Sequence, residues 1–258
     1  MKLGKPPIIQ AWIEFRFDHA TDRPEWGWPL ASAFFDQFQN DYPEREVMVH
    51  HQFQIAKVES KQKPRVVDER VDLAGMRAFQ ADRGRYLQLS QDSLVCNFVR
   101  TDAKGYEGFD ALKREALSKL RAYVNFFRPT RLLQLAMQYV DLVRIPFQQS
   151  RIELKDYFTL GYDLPEEVFG PTLNFLVQYA TRPPGSRDIL EVRLWNEQLD
   201  PEGPTGQFRM DWRLVAFEEL SFAQDVLGPR LDQAHERLLD CFKKSFTPQA
   251  WAMFEPVS

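Results

Sequence analysis

The chain has 258 residues, and its 33 basic and 37 acidic side chains leave a formal charge of −4, which argues against a uniformly basic nucleic-acid surface. Hydrophobic residues make up 44%, enough for a large core, and 21 Phe make that core aromatic-rich. The two cysteines, Cys96 and Cys241, form no CxxC pair, and no apolar run reaches the ~20 residues that span a bilayer, so the expectation is a cytoplasmic chain with free thiols and no membrane partner.

Taken in chain order, the opening residues MKLGKPPIIQAWIEF show no secretory h-region. Alternation begins at once. Ile9, Ala11, Ile13, Phe15 and Phe17 fall on one face, with Gln10, Trp12, Glu14, Arg16 and Asp18 on the other, which predicts a half-buried antiparallel strand. WPLASAFFDQFQNDYP predicts a helix, with Pro29 in its first turn and Pro43 just past its end. Strands are expected over Val47–Glu59, Met76–Ala81, Arg85–Gln91 and Leu94–Arg100. The charged stretch ESKQKPRVVDERVD lacks a period and reads as a loop or a weak edge strand. In GFDALKREALSKLRAYVNFF, Leu112, Ala116, Leu120, Tyr123 and Phe127 make one helical stripe that stops before Pro129.

RLLQLAMQYVDLVRIP then predicts a long strand with Leu133, Leu135, Met137, Tyr139, Val143 and Ile145 on one face. A short helix at IELKDYF is followed by strands near Thr172–Thr181, Arg187–Asn196 and Gln207–Phe217. In the last of these Phe208, Met210, Trp212, Leu214 and Ala216 face in, while Gln207, Arg209, Asp211 and Arg213 face out. Ser221 and Gln224 have capping-box spacing, Gly228-Pro229 restarts the helix, and Thr247-Pro248 opens a last short turn. Leu112, Ala116, Leu120, Tyr123 and Phe127 align at one offset with Leu231, His235, Leu239, Phe242 and Phe246. The order strand, helix, strands, long helix therefore recurs, in residues 1–129 and again in 130–258, as two halves of one compact unit.

The fold class that follows is α+β: a curved antiparallel sheet with both long helices on one face, in two pseudo-repeated halves. It looks like the TATA-binding-protein arrangement, by analogy only. A single sheet gripping a helix above an internal cavity is the alternative.

Common catalytic signatures are missing. There is no GxGxxG, P-loop or GxSxG, so nucleotide cradles of those kinds and a nucleophile elbow are not expected, nor is any cofactor. The four histidines are His19, His50, His51 and His235; His50 and His51 are adjacent on a strand and point to opposite faces, so no metal site is predicted. His235 and Cys241, six apart on a helix, read as packing residues rather than a reactive pair. Asp188, Glu191 and Arg193 resemble the acidic hairpin of a metal-dependent nuclease or phosphodiesterase, but a paired-charge strand face is the simpler reading. Trp26, Trp28, Trp195 and Trp212 read as core or core-edge residues.

One feature points to recognition. The outward strand positions carry Glu14, Arg16, Gln54, Gln88, Gln134, Gln138, Gln178, Glu191, Arg193, Arg209, Asp211 and Arg213. Arg and Gln balanced by acids suit a hydrogen-bonded polar partner. Glu14, Arg16, Gln134, Gln138, Arg209, Asp211 and Arg213 are the expected partner-binding set, with the loops near KQKPRVVDERVD and RPPGSR beside them.

KPPIIQAWIEFRF, LQLAMQYVDLVRIP and AHERLLDCFKKSFTPQAW together resemble a sporadically distributed family of bacterial and archaeal proteins of about this length, which has no assigned function. Pro6, Pro7, Tyr139, Pro146, His235 and Thr247 carry the likeness, although QYVDLVRIP departs from the commoner Arg-Tyr-Asn form of the central strand. The resemblance implies a single full-length unit and an accessory or defence-type role. The functional expectation is a binding or interaction protein for a polar partner, protein or nucleic acid, with a homodimer also open. A metal-dependent nuclease, or a small-molecule cavity beneath the long helices, are the alternatives.

Overall fold

The computed structural model describes residues 2–3, 6–55, 66–102, 105–146, 152–160, 175–198, 205–217, 220–254 and 256–257. Strand β1 (Lys2–Leu3) leads to β2 (Ile8–Asp18), helix α1 (Trp28–Asp36), β3 (Glu44–Ile55), β4 (Val66–Phe79), β5 (Arg85–Ser90), β6 (Ser93–Val99) and helix α2 (Phe109–Phe127). Then come β7 (Arg131–Pro146), a 3₁₀ turn (Leu154–Asp156), β8 (Leu176–Thr181), β9 (Ile189–Gln198), β10 (Thr205–Ala216), α3 (Gln224–Lys244), α4 (Pro248–Met253) and β11 (Pro256–Val257).

Among the described residues nine strands form one antiparallel sheet in the order β3-β4-β5-β6-β2-β7-β10-β9-β8, and β1 pairs separately with β11. The fold is thus α+β on a single open sheet. Period-2 side-chain alternation gives each central strand one apolar face. Ala11, Ile13 and Phe15 of β2 lie across from Tyr139, Met137 and Leu135 of β7, and all six are buried. Trp212 and Leu214 of β10 continue the same layer beyond Tyr139 and Met137.

The helices cover that layer. α2 buries Leu112, Ala116, Leu120 and Tyr123, and α3 buries Leu231, Ala234, Leu238 and Phe242. Phe34 of α1 meets Tyr123 edge-on at 6.0 Å and Phe126 at 5.7 Å, so the three rings interlock. Each such fully buried side chain contributes roughly 1.5–3 kcal/mol of hydrophobic stabilisation. No described helix is long and apolar enough to cross a membrane.

Several expectations need correction. The charged segment takes the edge-strand alternative where it is described: Val66–Asp72 belong to β4 and pair with β3 alone, β5 joining only from Gly75, while residues 56–65 lie outside the described set. Leu133 does not face the core; it is 41% exposed and Leu132 is buried instead. The pairing slips between Arg16 and Phe17, so Phe17 sits opposite Leu132 and Leu133 is skipped. IELKDYF forms only a 3₁₀ turn. The capping box is not made: Ser221 Oγ accepts from the Ala223 N–H at 3.2 Å, and Ala223 itself is the N-cap of α3. Gly228-Pro229 does not restart the helix, because α3 runs unbroken from Gln224. Thr247 does cap α4, accepting from the Ala250 N–H at 3.3 Å. Trp28, expected near the core, is 47% exposed.

Candidate functional site

The face of the sheet opposite the helices carries the polar residues. Cross-strand register assembles them into rows. One row runs Tyr86, Asn97, Trp12, Gln138, Arg213 and Glu191 across β5, β6, β2, β7, β10 and β9. The next runs Gln10, Val140, Asp211, Arg193 and Gln178. Because the period is 2, every one of these side chains points away from the helices.

Arg213 is the hub. Its Nη2 donates to Glu14 Oε2 at 3.1 Å and its Nη1 to Glu191 Oε2 at 3.1 Å. Arg16 Nε donates to the other oxygen of Glu14 at 2.7 Å, and this bond raises the Arg16 pKa. The Arg209 guanidinium lies over the Trp195 ring at 5.3 Å. Its Nε stands 3.6 Å from Asp211 Oδ1, too far for a hydrogen bond, and both atoms are buried without a hydrogen-bond partner among the described residues. Burial raises the Asp211 pKa, against the nearby arginines that lower it. A second network adjoins: Asn97 donates to the Tyr86 hydroxyl at 2.8 Å and Gln10 donates to Asn97 Oδ1 at 3.2 Å. On this face lies a pocket of about 260 Å³ lined by Trp12, Glu14, Gln138, Glu191, Arg193, Asp211 and Arg213.

The sheet therefore brings together all seven residues expected to bind a partner, on one face. That face is less wet than alternation alone suggests. Glu14, Gln134, Gln138 and Asp211 are each under 10% exposed. Small and β-branched neighbours, Ala136, Val140 and Val215, let the long side chains lie flat and pair across the strands. Trp12 and the Gln10–Asn97–Tyr86 group join the site and were not in the expected set; only their place on the polar side of the alternation marks them.

The nuclease triad is not assembled. Glu191 and Arg193 are on the polar face, but Asp188 is fully buried on the helix side, paired to Arg230 and Arg237 of α3. Parity explains this: 188 shares its side with Leu190 and Val192, opposite to 191 and 193. Among the described residues no group of three or more His, Cys, Asp or Glu is placed to hold a metal.

Beneath the long helices the interior is filled. Phe15, Leu120, Tyr123, Met137, Leu214 and Leu238 are each 2% exposed or less. His235 belongs to this packing: Phe109 stacks on its ring at 4.1 Å, its Nδ1 meets the Tyr139 hydroxyl at 2.8 Å, and burial lowers its pKa. Two residues along β7, Asp141 is buried on the same side and accepts from Trp212 Nε1 at 3.0 Å; burial raises its pKa to about 7. Cys241 is only part-buried, and burial raises its pKa as well, which disfavours the reactive thiolate.

No protein-family model matches this chain, and no curated protein is significantly similar to it.

Proposed function

We propose that this protein is a non-enzymatic binding protein that takes a polar partner on the helix-free face of its sheet. The observation that carries this reading is Arg213, clamped between Glu14 and Glu191, in the lining of a 260 Å³ pocket that Asp211 also borders. Among the pocket residues, carboxylates Glu14, Glu191 and Asp211 outnumber guanidiniums Arg193 and Arg213. A polyphosphate backbone would meet repulsion there. A protein segment rich in donors fits better than nucleic acid.

The halves 1–129 and 130–258 are read as pseudo-equivalent, in a TATA-binding-protein-like arrangement. What supports this is the position of β2 and β7 side by side at the sheet centre, each followed by a meander whose last strand, β6 or β10, returns to pair with it. The likeness is architectural and carries no function. An accessory role of the kind implied by the resemblance suits a protein built around a recognition face.

The test is capture from the host lysate by immobilised protein, with Arg209→Ala and Arg213→Ala compared under matched thermal stability. About a tenfold loss of the captured partner is expected for each, the size of a central interface contact. Unchanged capture by both variants overturns the reading. So does manganese-dependent cleavage of DNA or RNA by the native protein that Glu191→Ala abolishes.

A further inference from the structure

A second concavity lies on the other side of the molecule, between the β8–β9 turn and α3. It is an open cleft of about 700 Å³ lined by Gly185, Ser186, Arg187, Phe217, Arg230, Gln233 and Arg237. Helical spacing builds one wall. Positions 230, 233 and 237 are i, i+3 and i+7, so Arg230, Gln233 and Arg237 share one stripe of α3. The turn builds the other. Gly185 takes a left-handed φ of 70°, the Ser186 N–H donates to the Pro183 carbonyl at 3.1 Å, and the Asp188 N–H donates to Ser186 Oγ at 3.1 Å.

Asp188 is the fixed post between the walls. It is fully buried, pairs through Oδ1 with Arg230 Nη2, and accepts from Arg237 Nη1 at 2.5 Å. Arg237 Nη1 also reaches Ser186 Oγ at 2.6 Å. A carboxylate that takes one nitrogen of each arginine holds both guanidinium planes in place before any ligand arrives. Arg187 stands exposed on the rim. Arg187, Arg230 and Arg237 line the cleft together, with Asp188 buried against the last two. Phe217, 58% exposed, forms an apolar patch in the same lining. An exposed aromatic ring next to arginines is a stacking platform beside an anion clamp.

From this arrangement we infer that the cleft binds a phosphorylated small molecule carrying a flat ring, the class of a mononucleotide. The phosphates meet Arg187 and the guanidiniums oriented by Asp188, and the ring lies on Phe217. The volume falls within the ~300–1,000 Å³ of small-molecule sites. This site is distinct from the polar sheet face and uses none of its residues.

Calorimetric titration of the full chain with adenosine diphosphate and with pyrophosphate tests the inference. The two probes share the diphosphate and differ by the ring. The native protein is expected to bind adenosine diphosphate about tenfold more tightly than pyrophosphate, a factor typical of one stacked base. Phe217→Ala should erase that difference. Arg187→Glu, a change at an exposed position, should weaken both probes about tenfold or more and flatten their salt dependence. Nucleotide binding no tighter than pyrophosphate binding, or an Arg187→Glu variant that binds like the native protein, overturns it. Failure to bind either probe overturns it too, and leaves the sheet-face proposal standing, because that one is read out by Arg213→Ala.

Discussion

At the scale of single residues, Asp141 is the position whose physics departs most from the pattern around it. Alternation along Met137, Tyr139, Val143 and Ile145 places 141 on the core side, where an aspartate is the last residue expected. Trp212 donates to it, and burial lifts the carboxyl pKa from 3.8 to about 7. The folded value lies above the unfolded one, so the folded state holds the proton more tightly. Stability is therefore largest below the unfolded pKa and falls as pH rises towards 7, at up to about 1.4 kcal/mol per pH unit. Asp141→Asn keeps an acceptor for Trp212 and removes the titration. Urea denaturation between pH 4 and 8 should show the native protein losing stability relative to the variant, which becomes the more stable of the two above pH 7. Parallel curves would disprove this account. His235 shows the complementary case: its helical position marks it as a packing residue, but its partner Tyr139 is 96 residues away and only folding brings the two together.

Among the elements, β4 shows how composition hides a strand. Asp68, Glu69, Arg70 and Asp72 break any hydrophobic alternation, yet backbone pairing with β3 runs through them. The pairing then slips between Met48 and Val49, and Gly75 comes to face Met48 on β3 and Ser90 on β5. A Cβ at Gly75 would stand 2.5 Å from the Leu89 carbonyl oxygen and 2.6 Å from Met48 Cε. One of those atoms is backbone and cannot move aside alone. Gly75→Ala is expected to destabilise the protein by about 1–3 kcal/mol in chemical denaturation, the cost of overpacking a tight site. A neutral effect would mean that β4 and β5 separate more easily than their pairing implies. α2 and α3 were readable because an apolar stripe of period 3.6 is written in consecutive turns. The clamp that α3 makes with Asp188 was not readable, since Arg230 and Arg237 look like any solvated helix face until the β8–β9 turn is placed against them.

For the molecule as a whole, the central pairing of β2 with β7 decides how it holds together. These strands join residues 1–129 to residues 130–258 through pairing that runs from Ile8 to Asp18, in unbroken register from Gln10 to Arg16. Each half alone would expose one of them as a long unpaired edge with an apolar face. Heating the intact chain is expected to give one transition, coincident by far-ultraviolet dichroism and tryptophan fluorescence. The separately expressed halves should be unfolded or aggregated, and should regain strand structure when refolded together. Two well-separated transitions would show that the halves are independent domains.

Strand alternation, the helical stripes and the proline-marked boundaries follow from consecutive residues, because backbone geometry imposes periods of 2 and 3.6 on any chain that buries one face. The polar character of the second sheet face was legible for the same reason. Which strands become neighbours, the slip that exposes Leu133, the hub at Arg213 and the burial of Asp188 depend on register between segments tens to hundreds of residues apart. Local periodicity carries no record of such distances; only the assembled sheet with its helices docked supplies the partners.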